Sequence, residues 1–315
     1  MTQPPRTAIF TTSEGTHREA FTPSHWALAV FNALVFGSAF LWMAVGLRSL
    51  TPGIIAVGRV AFGATALVVF ARARSPIDRS DWGQIVFLGL VGQAAPAWLF
   101  AASEEHIGSA VAGMLVAGIP IATATIATVL TRRLPGVWQR IGLAMGFFGI
   151  VLLALPTMGG EAGSALGIGY VLIAVVAYGL SNNLLVPLQQ RYGAMAVTLR
   201  TLVVATVALL PVGLTGLDRS LFEWVPVLAV LFLGVVGTGT ERATQLALAG
   251  RVGAARASIV GYMVPVVALA LGFLVLDERV ELIQIAGVAV TILGAYLVSR
   301  AEGPGSRRHS VLARQ

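Results

Sequence analysis

The segment LGLVGQAAPAWLFAASEEHIGSAVAGMLVAGIP, residues 88–120, returns as LGVVGTGTERATQLALAGRVGAARASIVGYMVP, residues 233–265, at a constant offset of 145. Gly89, Gly92, Gly108 and Pro120 fall on Gly234, Gly237, Gly253 and Pro265. At the same offset Gly142 and Gly149 fall on Gly287 and Gly294. Upstream, Phe36–Gly37 meets Tyr178–Gly179 at an offset of 142, and Arg59 meets Arg200 at 141. Working outward from these pairs, apolar runs lie near 25–47, 52–71, 83–103, 107–130 and 138–156, and again near 166–187, 194–214, 224–249, 253–276 and 281–299. Each half therefore holds five runs long enough to cross a bilayer, which takes about 20 residues. An odd number of spans per half makes the halves insert with opposite topology, an arrangement common among secondary transporters.

Composition agrees. Of 315 residues, 57% are hydrophobic and 11% charged, with a mean hydropathy of +0.84. A soluble domain is about 25% charged, so an ordinary soluble enzyme is excluded, as are disorder and fibrous structure. In a soluble protein the net charge of +7 would suggest nucleic acid. Here every basic residue other than histidine is Arg, and fifteen of them fall in segments on the side of the N-terminus. Three (Arg48, Arg219, Arg279) fall in loops on the opposite side, which carry Glu104, Glu105, Glu161, Asp218, Glu223, Asp277, Glu278 and Glu281. The positive-inside rule then places both termini in the cytoplasm, and no nucleic acid is expected as partner. The first apolar run exceeds a signal-peptide core of about 7–15 residues and reads as a retained span. Cysteine is absent, so disulfides and thiolate sites are excluded.

The expected fold is an all-α integral membrane protein with ten transmembrane helices as two inverted five-helix repeats. Residues 1–24 form a mobile cytoplasmic tail, 25–156 the first repeat, 165–300 the second, and 301–315 a second cytoplasmic tail. The short motifs that carry the repeat are FGSAF (36–40), Arg59 after TPGIIAVG, LGLVG (88–92), and the Gly-Ser-Ala and Gly-Ala-Ala starts at 108 and 253. With Pro120, Pro265 and LDERVELIQIAGVAVTILGAYLVSR (276–300), they make the chain resemble EamA-type members of the drug/metabolite transporter superfamily from about residue 26 to 300. The resemblance implies a transporter in the cell membrane, inner or plasma, exporting amino acids, related metabolites or drugs without a cofactor. The first half departs from the family pattern: Arg132–Arg133–Leu134 stands where Gly-Glu-Arg is usual, and Ile119 and Val264 precede the two prolines where polar residues are frequent.

Several residues invite a functional reading, each with a plainer one beside it. Pro120 and Pro265 each sit mid-run, remove a backbone hydrogen bond and bend the helix. Interruptions at matching places in two halves point to a midplane site, although proline is common in membrane helices for packing alone. Glu241 is the deep carboxylate, and a charge at that depth needs a partner. The expected partner is Arg200 on the neighbouring span, with Arg242 reaching toward the interface. The pair could be a substrate or proton site, or a structural pin. Arg59, the repeat mate of Arg200, has Glu104 as its expected partner, and the resemblance favours a structural role for it. Gln93, Asn182, Asn183 and Gln245 should face the interior, since lipid offers no hydrogen bonds. Gln245 lies four residues from Glu241 on one face. Trp98, Tyr178 and Tyr262, mid-span, could line a cavity or simply pack. The i, i+7 glycines in the fifth and tenth spans suit close helix approach, within one chain or across a homodimer.

The sequence lacks HExxH, GxSxG, a Walker loop and a Cys/His cluster, so neither catalysis nor metal binding is expected. The reading is a secondary transporter moving a small-molecule solute across the lipid bilayer by alternating access. The alternatives are a membrane-embedded enzyme and a non-transporting scaffold.

Overall fold

The computed structural model describes residues 12, 15, 16, 19–132, 134–154, 164–276 and 281–300. Among them no strand occurs. The tail expected at 301–315 and most of residues 1–18 lie outside the described residues. Six helices are long and apolar enough to cross a membrane: α1 (Pro23–Gly46), α3 (Arg79–Ser103), α4 (Val111–Thr131), α6 (Ala165–Tyr192), α7 (Ala194–Leu214) and α8 (Trp224–Val252). Four shorter apolar helices complete the series: α2 (Pro52–Val68), α5 (Val137–Ala154), α9 (Val260–Leu276) and α10 (Leu282–Ser299).

Local chemistry sets the ends. Thr22 caps α1 reciprocally: its Oγ1 accepts from the His25 amide and its own amide donates to His25 Nδ1 at 3.3 Å. This is a capping box with histidine in the third position. Gly193 and Gly253 both adopt φ +85° at the joints following α6 and α8. A side chain is strained in that region, and these tight joints turn the chain straight back. Pro52 opens α2, where a missing N–H costs nothing.

Two helices are interrupted at repeat-related places. In α3, Leu90–Ala94 winds as π-helix, and in α8 Val235–Thr240 does the same. Position 90 falls on 235 at the offset already read from the sequence. The widened turn loosens backbone pairing, and hydroxyls take up the slack: Thr238 Oγ1 donates to Leu233 O at 2.9 Å and Thr240 Oγ1 to Val235 O at 3.0 Å. The halves interlock at these turns. From the first half, α2 packs on the π-turn of α8; from the second, α7 packs on the π-turn of α3. Glycine permits both contacts. A Cβ on Gly63 would lie 2.9 Å from Gly234 O, and one on Gly89 would lie 3.0 Å from Thr201 O.

α5 and α10 pack against each other within the chain. Along this seam a Cβ on Gly142 would meet Gly294 O at 2.6 Å, and one on Gly149 would meet Gly287 O at 2.8 Å. Lipid tails are as apolar as leucine, so such contacts hold helices by close packing rather than by the hydrophobic effect. Leu172, Ile173, Val207, Phe147 and Phe148 point outward and are exposed, as lipid-facing residues must be.

The described end of the leading segment packs on the bundle. Phe21 is buried, its amide donates to Ser299 O, and Arg256 donates to Glu19 O and Ser299 O at 2.6 and 2.8 Å. The cause is Arg256 at the start of the ninth apolar segment: 5% exposed, it draws the carbonyls of two chain segments onto its guanidinium.

Candidate functional site

The π-turn of α3 brings Gly92 and Gln93 to the centre of the bundle. There they face Tyr178, Ser181, Asn182 and Leu185 of α6, Thr198 and Thr201 of α7, and Arg242, Gln245, Leu246 and Ala249 of α8. Both repeats therefore build one polar cavity. Its unfilled space is about 20 Å³, room for about one water. In this conformation it has no room for an organic solute.

Arg242 dominates the lining. Its Nε lies 3.3 Å from Glu241 Oε2, and its guanidinium carbon stands 3.9 Å from the Tyr178 ring centroid and 5.6 Å from that of Phe36. A cation over an aromatic face is stabilised by the ring's negative surface, more strongly when desolvated. Glu241 itself is 1% exposed and stands outside the lining. Arg59 is equally buried. Its Nε donates to Thr238 Oγ1 at 3.1 Å, and Nη1 points at Met43 Sδ at 3.4 Å.

The expected Glu241–Arg200 pair does not form. Arg200 instead donates to the carbonyls of Ala73, Arg74 and Ser75, with 3.2 and 2.8 Å to the last two. The loop after α2 ends in three carbonyls free of helical partners, and Arg200, near the start of α7, reaches them directly. Glu241 takes the nearer charge, Arg242. Adjacent helix residues do not ordinarily face each other, which is why sequence spacing favoured Arg200. The long arginine stem removes that obstacle.

Gln93, Tyr178, Asn182 and Gln245 line the cavity. Gln245 is held by its neighbours: Nε2 donates to Ala257 O at 3.1 Å, and Oε1 accepts from Asn32 Nδ2 at 3.2 Å. Asn182 Nδ2 reaches Thr123 Oγ1 at 3.5 Å, while Asn183 turns away to the carbonyls of Thr123 and Gly179. The other candidates lie elsewhere. Trp98 packs against Tyr170, ring centroids 5.7 Å apart. Tyr262 is fully buried, its hydroxyl donating to Leu143 O at 2.8 Å and its ring filling the space beside Gly146. Tyr262 is thus a packing residue: a glycine on α5 makes a slot for its ring. Pro120 follows a 3₁₀ turn at Val116–Gly118 and packs against Gly261 of the α9 helix. Neither Pro120 nor Pro265 is among the lining residues. The cavity instead borders the π-turn of α3, which contributes Gly92 and Gln93.

Ser181, Thr198, Thr201 and Arg242 were not singled out by sequence reasoning as cavity residues. Two signals were present. Ser181 is three residues from Tyr178, and Thr198 and Thr201 share that spacing, so each pair lies on one helix face. Serine and threonine are too common in membrane helices for the spacing alone to select them.

Toward the Ser103 end of α3, aromatic rings pack beside the cavity. Phe36, Phe40, Phe100 and Tyr178 contact each other in sequence with centroids 5.6 to 6.2 Å apart. Glu104 lies just past that end. Both its carboxylate oxygens are buried and accept no hydrogen bond from the described residues. Burial holds Glu104 well above the usual carboxylate range, with Arg59 pulling the other way through space. At the opposite end, Thr16 N donates to Gly250 O, and Thr12 Oγ1 reaches Asn183 Oδ1 at 3.4 Å. Among the described residues no cluster of three His, Cys, Asp or Glu could hold a metal ion.

An apolar helical bundle built from two copies of one unit, with a polar cavity between the copies, defines a membrane transporter class. The sequence model of the EamA-like transporter family matches residues 25–155 and again 165–300. The chain belongs to that family. Similar proteins include an uncharacterized transporter of Archaeoglobus fulgidus, 25% identical over 87% of this chain and 98% of that one. A probable terminal-alkyne amino-acid exporter of Streptantibioticus cattleyicolor is 29% identical over 87% of this chain and 93% of its own. A probable amino-acid metabolite efflux pump of Escherichia coli is 25% identical over 86% and 93%. A solved crystal structure superimposes with a TM-score of 0.70 over 93% of this chain and 99% of its own, at 15% identity, which speaks to fold.

Proposed function

We propose that this protein is a secondary transporter that exports a small organic solute by alternating access. The solute is an amino acid, a related metabolite or a drug. In this reading ten spans form two inverted five-helix repeats in the cell membrane, with both termini in the cytoplasm, and the cavity around Arg242 is the solute site. One observation carries it: the cavity is lined mostly by polar residues and is built by both repeats. A site shared by two interlocked halves opens to one side or the other when the halves rock. The amino-acid exporters among its relatives support the solute class.

Glu241 is the coupling residue if protons drive the transport. Arginine effectively never deprotonates, and lysine, cysteine and deep histidine are missing from the sequence. Solute bound at Arg242 would change the charge that Glu241 faces. The test is counterflow in proteoliposomes with pooled amino acids and cationic dyes, followed by Glu241→Gln. Loss of uphill flux with exchange retained is expected, and full pH-driven accumulation by the Gln variant would refute the coupling role. Single cysteines at Ser181 and Thr201, on a background free of natural cysteine, should react with aqueous thiol reagents from either face in turn. A scaffold would leave both unreactive, and a membrane-embedded enzyme would convert the solute.

A further inference from the structure

We propose that the central cavity is a carboxylate receptor, in which the Arg242 guanidinium and the Ser181 hydroxyl grip the acid group of the transported solute. The inference rests on the transport reading above and adds the chemistry that the solute must carry.

The first argument is charge. Two guanidiniums are buried at the centre, Arg59 and Arg242, and both stay charged at any working pH. Glu241, in contact with Arg242, offsets one of them. Among the described residues, the bonded partners of Arg59 are a threonine hydroxyl and a thioether. Glu104, the other carboxylate acting on Arg59, is buried without a hydrogen bond, which favours its uncharged form. The centre therefore holds at least one positive charge in excess. None of the cavity's lining residues is acidic. An organic cation entering it would meet like charge and find no carboxylate, whereas an anion supplies the missing counter-charge.

The second argument is geometric and independent of the first. Ser181 is 2% exposed, lines the cavity, and its Oγ has no hydrogen-bond partner among the described residues. A buried hydroxyl without a partner is uncommon and costly. It sits three residues before Leu184 and three after Tyr178, so it shares a helix face with the ring that carries Arg242. Gly92 packs directly beside it, and a Cβ there would collide with Oγ. Arg242 Nε stands 3.3 Å from Glu241 Oε2, within ion-pair distance, and the planar N–H pairs of a guanidinium match a carboxylate. The amides of Gln93 and Asn182 can serve polar groups elsewhere on the solute.

The experiment uses the full chain in proteoliposomes with four probes: phenylpyruvate, phenylalanine, phenylalanine methyl ester and the cationic dye rhodamine 6G. Counterflow is expected for the two acids, with the ester and the dye at least tenfold slower. Arg242→Lys should raise the half-saturating concentration of the acids about tenfold, since a point charge replaces a bidentate fork. Ser181→Ala should raise it several-fold without changing expression. Arg242→Gln alone strands Glu241 and can fail to fold, so the Glu241→Gln/Arg242→Gln double variant, which leaves no unpaired charge, is measured beside it. Folded double variant that no longer moves acids supports the receptor. Acid flux unchanged in the double variant overturns it, as does ester or dye flux equal to acid flux, and both results leave the transport reading standing. Absence of flux and of probe-induced thermal stabilisation for all four probes would remove the transport reading and the receptor together.

Discussion

Neutralising either member of the Glu241–Arg242 pair should destabilise the protein far more than neutralising both. The two charged atoms stand 3.3 Å apart, with side chains 2% and 10% exposed. With an effective dielectric constant near 20, a pair at that distance attracts by about 5 kcal/mol. Desolvation offsets much of this, yet removing one partner leaves the other charged and buried, at a cost of about 3–5 kcal/mol. Removing both spares that penalty. A double-mutant cycle on Glu241→Gln and Arg242→Gln should therefore yield a coupling of about 1–3 kcal/mol. A second cycle on Glu241→Gln and Arg200→Gln should be additive within about 0.5 kcal/mol, because Arg200 spends its donors on the Ala73–Ser75 carbonyls. Unfolding in mixed micelles, followed by tryptophan fluorescence, supplies the free energies. Strong coupling of Glu241 to Arg200 and none to Arg242 would refute the assignment and restore the pairing that spacing suggests.

Gly146→Ala places a methyl against the Tyr262 ring, with ring atoms 2.4 to 2.8 Å away. The expected loss is about 1–3 kcal/mol, read by the same unfolding assay, and a neutral result would mean that α5 and the α9 helix separate more easily than their packing indicates. Glu104 has its folded pKa raised by burial. Its contribution to stability is therefore present at pH below its unfolded value of about 4.3 and is lost as pH rises through the folded value. Glu104→Gln should gain stability relative to the parent between pH 4 and pH 8, and a relative loss over that range would contradict the assigned burial. Reporter fusions in the loops at 72–81, 131–137 and 250–252 should all give cytoplasmic signals, on the strength of the arginine bias, and an external signal at 131–137 would overturn the orientation.

Much of the architecture is legible in the one-dimensional pattern. The duplication at offset 145, the apolar runs and the glycine pairs are properties of composition and spacing, and bilayer thickness turns such runs into helices whatever their neighbours. The α5–α10 seam also follows from its glycines, although the sequence left open whether it closes within one chain or between two. Gln93, Asn182 and Gln245 could be named in advance because lipid gives a polar side chain nothing to bond, so such groups must turn inward, whereas Tyr178 stood only as one of three mid-span aromatics that could line a cavity or pack. What only the tertiary structure decided is which inward groups meet. A π-turn leaves no residue signature beyond glycine, yet it determines that Gln93 and Thr238 face the centre. Arg59, Arg200 and Arg242 are chemically identical, and their depths along straight helices favoured the wrong partner for Glu241. Which of them bonds a loop carbonyl, a threonine or the carboxylate depends on distances between helices that are remote in the chain, and those are set by the packing of the two repeats against each other.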